Sequence, residues 1–118
     1  MVNQIDQAFD ALAQPTRRRV VELLLERPRS AGELAAASSM SSPAMSKHLR
    51  ILRRSGLVRE EPSERDARVR VYSLRPEPFM TLGDWLAEVQ AFWNEQLDSF
   101  KDSTDKRAEG EGDGSDQH

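Results

Sequence analysis

The chain has 118 residues, enough for one domain with a modest core, and it contains no cysteine. That composition excludes a disulfide framework, a thiolate metal site and a cysteine nucleophile, and no apolar run approaches the length of a membrane span. The net charge of −3 averages unlike regions: residues 1–13 hold two acids and no base, residues 14–75 hold fourteen Lys/Arg against seven Asp/Glu, and residues 76–118 hold three against eleven.

A basic middle between acidic flanks suits a polyanionic partner, although charge alone weighs equally for solvated helix faces. The opening MVNQIDQAFDAL carries acids and no long apolar core. It does not read as a signal peptide, and a cytoplasmic location is expected.

Residues 3–13 read as a short helix with Ile5, Ala8, Phe9 and Leu12 on one face. Gln14-Pro15 marks a new start, because proline suits the first helical position. That second helix should run to about Arg27, with Val20, Val21, Leu24 and Leu25 facing the core, and stop at Pro28. Ser30 and Glu33 have the spacing of a capping box, so a short third helix, ELAAAS, should begin there. The Ser-rich stretch from Ser38 to Ser42 reads as a turn. Ser41 suits the N-cap of a fourth helix, SPAMSKHLRILRRS, whose Met45, Leu49 and Leu52 should point inward and which Gly56 should end.

LVREE and VRVYSL follow, rich in β-formers and joined by the polar PSERDAR. They predict a small hairpin with a basic tip. Pro76 and Pro78 open a final helix in which Phe79, Leu82, Leu86, Val89, Trp93 and Phe100 follow a 3-4 spacing with Gln96 at the one polar slot, widened by Trp85, Phe92 and Leu97. From Asp102 onward there is no large apolar residue, so residues 101–118 are expected to form an acidic, disordered tail behind a domain of residues 1–100.

The expected order, ααααββα, is mainly α with a small β-hairpin wing, a winged helix-turn-helix. The second helix of a helix-turn-helix pair enters the major groove by its N-terminal residues. Here these are Ser42, Pro43, Ala44, Ser46 and Lys47, small or polar as close approach to base edges requires. Lys47 and Arg50 can neutralise phosphates, and Arg53 and Arg54 continue the basic run. Arg65, Arg68 and Arg70 lie in or beside the wing, where Arg65 and Arg68 are expected to touch DNA. Glu60, Glu61, Glu64 and Asp66 partly cancel that charge. Thr16, Arg17 and Arg18 open the second helix and can meet a phosphate there, while pairing of these arginines with the acidic flanks is an equal alternative. A serine-capped, solvated helix explains S-x-x-S-K alone; capping box, turn and basic hairpin together favour double-stranded DNA.

FDALAQPTRRRVVELL, GELA, SSPAMSKHLRILRRSGLV and RVRVYSL resemble the ArsR-type winged-helix repressors over roughly residues 3–75. The FWNEQLDSF segment resembles a subgroup whose last helix carries F-W-x-x-x-L. The resemblance implies a homodimer built from the first and last helices, repression by occupying promoter DNA, and DNA contacts at Ser42, Pro43, Ser46 and Lys47. The family's metal chemistry does not carry over. Its cysteine-bearing third helix is matched here by Glu33, Leu34, Ala35, Ala36 and Ala37. Asp84 and Glu88 lack a histidine partner in the last helix, since the only histidines are His48 and His118. No metal and no cofactor are expected.

A stripe with Trp85, Val89, Phe92, Trp93, Leu97 and Phe100 is too wide for one small domain to cover, and a twofold dimer can bury it together with Phe9 and Leu12. A module binding another protein through its basic face is the competing class. An enzyme fails on inventory: there is no well-placed histidine with a partner and no phosphate-binding glycine loop.

Overall fold

The computed structural model describes residues 3–110. Among these described residues, five helices and three strands run in the order α1 (Gln4–Leu12), α2 (Pro15–Glu26), β1 (Arg29–Ser30), α3 (Ala31–Ala37), α4 (Ser42–Arg54), β2 (Val58–Pro62), β3 (Arg70–Leu74) and α5 (Pro76–Gly110). The fold divides after Leu82 into two compact units.

Local chemistry sets the helix starts. Asn3 caps α1 by accepting from the Asp6 N–H, and Gln14 caps α2 by accepting from the Arg17 N–H, with Pro15 behind it. The expected capping box of α3 is closed: the Glu33 N–H donates to Ser30 Oγ at 3.2 Å and the Ser30 N–H donates to Glu33 Oε1 at 3.0 Å. The Glu33 carboxylate accepts the second of these bonds, and that Ser30 backbone N–H above all, then the bond from Arg27, holds it below the usual carboxylate value.

The core of the first unit is one cluster. Ala8 and Ala11 of α1 meet Val20, Leu23 and Leu24 of α2, Leu34 and Ala35 of α3, Met45, Leu49 and Leu52 of α4, then Leu57, Val58, Tyr72 and Leu82. The α4 face is as expected, since Met45, Leu49 and Leu52 are fully buried. The α2 face is rotated from the expected one. Leu23 is buried and Leu25 is 71% exposed. Positions 20, 23 and 24 share one stripe at helical spacing, and Leu25 falls a step beyond it. Leu25 and Val21 instead line an open apolar pocket with Leu74, Pro76, Phe79 and Met80.

The sheet is antiparallel with strand order β1-β3-β2. β2 and β3 form the expected hairpin, with Val58 opposite Leu74, Glu60 opposite Tyr72 and Pro62 opposite Arg70. The third strand was not expected: Arg29 and Ser30 pair with Tyr72 and Val71. Two residues carry no periodicity, so such a strand leaves no pattern to read.

α5 begins in the first unit, where Pro78 and Leu82 are buried. Past Gly83 its large apolar side chains are exposed, among them Trp93 at 56% and Phe100 at 72%. Phe92 and Trp93 meet edge to face with ring centroids 5.2 Å apart. The helix continues to Gly110, past the boundary expected at residue 100, and residues 111–118 of the expected tail lie outside the described residues. No helix among the described residues is long and apolar enough to cross a membrane.

Candidate nucleic-acid interface

α3 and α4 form the helix-turn-helix, and the same device ends both. At the end of α3 the Met40 N–H donates to the Ala35 carbonyl at 3.0 Å and the Ser39 N–H donates to the Ala36 carbonyl at 3.2 Å. At the end of α4 the Leu57 N–H donates to the Leu52 carbonyl at 3.0 Å and the Gly56 N–H donates to the Arg53 carbonyl at 3.0 Å. Both are Schellman caps, which need a left-handed residue at the turn. Gly56 supplies it with φ 78°, at no steric cost, while Ser39 adopts φ 55° with a Cβ in place. The Ser39 turn aims α4, whose N-cap Ser41 accepts from the Ala44 N–H at 3.3 Å.

One face of α4 is buried and the opposite one is open. Ser42, Pro43, Ser46, Lys47 and Arg50 are all exposed, and Ala44 is half-buried. The exposed set follows helical spacing from Pro43 through Ser46 and Lys47 to Arg50, then on to Arg53 and Arg54. It begins small and neutral and ends basic. The side chains of Lys47, Arg50, Arg54 and Arg65 make no hydrogen bond or ion pair within the described residues, so these cations stand open to solvent.

The remaining predicted cations are engaged. Arg17 is half-buried; its Nε donates to the Ala11 carbonyl at 2.6 Å, and its Nη1 stands 3.3 Å from His48 Nδ1. Arg18 donates to the Leu12 and Ala13 carbonyls at 2.8 and 3.1 Å. Both guanidiniums therefore cap the carbonyl end of α1, where the helix dipole favours cations, rather than pairing with the acidic flanks. Thr16 is half-buried at the first turn of α2. Burial of the His48 imidazole, then the Arg17 charge beside it, holds its pKa below 6.5.

Arg68 lies at the wing tip, 89% exposed at its side chain, in a bidentate pair with Asp66: Nε to Oδ1 at 3.1 Å and Nη2 to Oδ2 at 3.0 Å. Asp66 also accepts from the Arg68 backbone N–H at 3.0 Å, and its carbonyl accepts from the Val69 N–H at 2.9 Å. The side-chain bond from Arg68, then the backbone one, holds the Asp66 carboxyl below its usual value. Thus Asp66, which in sequence only subtracts wing charge, builds the turn that carries it. Arg65 is fixed by its backbone, which donates to Ser63 Oγ at 3.2 Å, and its guanidinium points free.

The wing root holds a cluster that sequence reasoning missed. Glu60 of β2 accepts from Tyr72 Oη at 2.7 Å and faces Arg53 of α4 at 3.3 Å and Arg70 of β3 at 3.6 Å. The cross-strand register that sets Glu60 opposite Tyr72 is the only signal that could have suggested it. Burial, then the bond to Glu60, pushes the Tyr72 phenol up to about 12.

Comparison with known proteins fits this geometry. Residues 14–60 match the family described as bacterial regulatory protein, arsR family. The HTH-type transcriptional regulator Rv2034 of Mycobacterium tuberculosis is 36% identical over 104 residues, spanning 88% of this chain and 92% of that protein. The chain belongs to the ArsR family. This ArsR-family protein is also similar to the crystal structure of the ArsR family transcriptional regulator RHA00566, with a TM-score of 0.68 and 38% identity across 78% of this chain and 98% of that one. Its likeness to the transcriptional repressor SdpR of Bacillus subtilis is 28% over 82 residues, covering 70% of this chain and 88% of SdpR.

The ArsR-family protein is therefore a winged-helix, DNA-binding transcriptional regulator and not an enzyme. Among its described residues no group of three or more His, Cys, Asp or Glu side chains is placed to hold a metal ion. Asp84 and Glu88, the acids weighed as ligands, are exposed on α5.

Proposed function

We propose that this ArsR-family regulator is a repressor that binds an inverted-repeat operator as a homodimer in the cytoplasm. The observation that carries this reading is the exposed face of α4, small and neutral at Ser42, Pro43 and Ser46, then basic at Lys47 and Arg50 with both cations open. The small face can approach base edges, and the cations can reach the phosphates that flank them. Arg65 adds a wing contact. Arg68 joins it only by leaving Asp66, so its share is the smaller. Thr16 and Arg17 are left with a backbone role: the α2 N-terminus can meet a phosphate through its N–H groups while the Arg17 guanidinium stays on Ala11 and His48.

Dimerisation is supported by the exposed apolar side chains of α5, with Val89 half-buried among Trp85, Phe92, Trp93, Leu97 and Phe100. On the first unit, Phe9 is 39% exposed and offers a further apolar side chain for a partner copy, with Leu12 partly buried beside the core. A closed twofold dimer hides such a face and sets two recognition helices for a symmetric site. Repression is favoured by the likeness to a protein named as a transcriptional repressor. Selection of binding sites from a random duplex pool, followed by footprinting, tests the reading. The expected product is a dyad with half-sites roughly 10 bp apart. An enriched site without dyad symmetry overturns the dimer-on-operator reading.

A further inference from the structure

We infer that Glu60 is a positioning residue that restrains Arg53 and Arg70 from the DNA backbone and so trades non-specific affinity for sequence discrimination. The inference rests on the reading of α4 and the wing as the DNA interface.

Among the described residues, Glu60 is the one carboxylate paired with arginines of both recognition helix and wing. Its Oε1 faces Arg53 Nη1 at 3.3 Å from α4 and Arg70 Nη2 at 3.6 Å from β3, and its Oε2 accepts from Tyr72 Oη at 2.7 Å. The tyrosine ring is buried in the core, so this third bond anchors the carboxylate to a fixed point. The Glu60 side chain is only 19% exposed, while those of Arg53 and Arg70 are 52% and 48% exposed. The guanidiniums are thus accessible to solvent yet tethered from behind by a charge that water screens poorly.

Arg53 continues the stripe of Ser46 and Arg50 along α4, and Arg70 ends the hairpin on the Pro62 side. Both are part-exposed on the elements read as the DNA interface, where a freed guanidinium can reach a phosphate. Contacts to phosphate carry no sequence information, and each adds one unit to the salt dependence of binding. Lys47, Arg50, Arg54 and Arg65 already stand open. Two more free arginines would strengthen binding to every duplex alike. Held by Glu60, they instead fix the angle between recognition helix and wing.

The variant Glu60→Gln removes the charge and keeps an acceptor for Tyr72. It is compared with the wild type and with Glu64→Gln, which deletes an exposed wing acid that bridges to no arginine among the described residues. The probes are a random-sequence duplex and the duplex that wild-type protein enriches most, each titrated across a salt series, with circular dichroism to confirm folding. The expected result for Glu60→Gln is at least several-fold tighter binding to the random duplex. Its salt slope should steepen by about one unit for each arginine released, and the ratio of specific to random affinity should fall. Adding Arg53→Gln to Glu60→Gln should take back part of the steepening. A merely structural role would weaken binding to both duplexes without steepening either slope. An unchanged or shallower slope in folded Glu60→Gln overturns the inference, and so does an equal steepening in Glu64→Gln, which would reduce the effect to net charge. Failure of the wild type to bind any duplex overturns the interface reading itself, and this inference with it.

Discussion

Arg17 joins the first helix of the domain to the recognition helix through His48: its Nη1 lies 3.3 Å from His48 Nδ1 while its Nε holds the Ala11 carbonyl. A guanidinium can only donate, so the imidazole accepts at Nδ1 and is neutral in this contact. Protonation would remove the acceptor and set two cations side by side.

That arrangement predicts an acid-sensitive stability. The His48 pKa is lowered in the fold, so between the folded value and 6.5 the unfolded chain binds more protons. The contribution is present above about pH 6.5 and lost as pH falls through the folded value. His48→Asn offers an oxygen near the Nδ1 position and cannot titrate. Its thermal midpoint should fall less than that of the wild type on acidification through this window. Parallel slopes for the two proteins would show that His48 does not titrate as argued.

Roles along α4 separate by salt. Arg50 is exposed with no ion pair among the described residues, so Arg50→Ala should weaken specific and non-specific binding alike and flatten the salt slope by about one unit. Ser46→Ala should narrow the gap between specific and non-specific affinity and leave the slope unchanged. Competition titrations at several salt concentrations read both. If Arg50→Ala relaxed sequence preference without touching the slope, the roles would be reversed.

The turn before α4 carries a removable cost. Ser39 sits at φ 55° in a Schellman cap where Gly56 fills the same role at the end of α4. Ser39→Gly should stabilise the fold by about 1 kcal/mol, the usual penalty of a side chain in the left-handed region less the entropy glycine adds to the unfolded chain. Chemical denaturation would measure it. A destabilised variant would mean that the Ser39 side chain contributes more than its backbone costs.

Tyr72 is the only tyrosine in the chain, so tyrosinate absorbance reports it alone. With its phenol pushed up to about 12, the folded state holds the proton longer than the unfolded one. Stability is therefore full below about pH 10 and lost as pH rises toward the folded value. Titration of folded protein should run well above the ordinary tyrosine range, and Glu60→Gln should lower the midpoint. A midpoint near 10 while circular dichroism still reports the fold would contradict the buried bond to Glu60.

Trp93 is 56% exposed beside Phe92 on the second unit. If two copies bury this face, Trp93→Asp should shift sedimentation toward monomer and weaken DNA binding in the same step. Wild-type protein sedimenting as a monomer at micromolar concentration would dispose of the dimer.

Much of the fold was legible because it is written in short range. Ser30 with Glu33, Ser41 before Pro43, Gly56 after Arg54, and Met45, Leu49 and Leu52 on one face each depend on residues within about two turns, and each stands as expected. The open cations of α4 follow from the same periodicity. Arg68 on Asp66, and Arg17 and Arg18 on the end of α1, are local contacts that periodicity does not reveal. Tertiary structure decided that Arg17 also reaches His48 and that Arg53 and Arg70 converge on Glu60. A guanidinium reaches whichever carbonyl or carboxylate the packing brings near it. In sequence Arg53 and Glu60 are only two opposite charges seven positions apart. They meet because Gly56 turns the chain back into β2, and because the Glu60–Tyr72 register points the carboxylate toward α4. β1 and the exposure of Leu25 have the same origin, since both depend on where β3 and the α2 stripe finally pack.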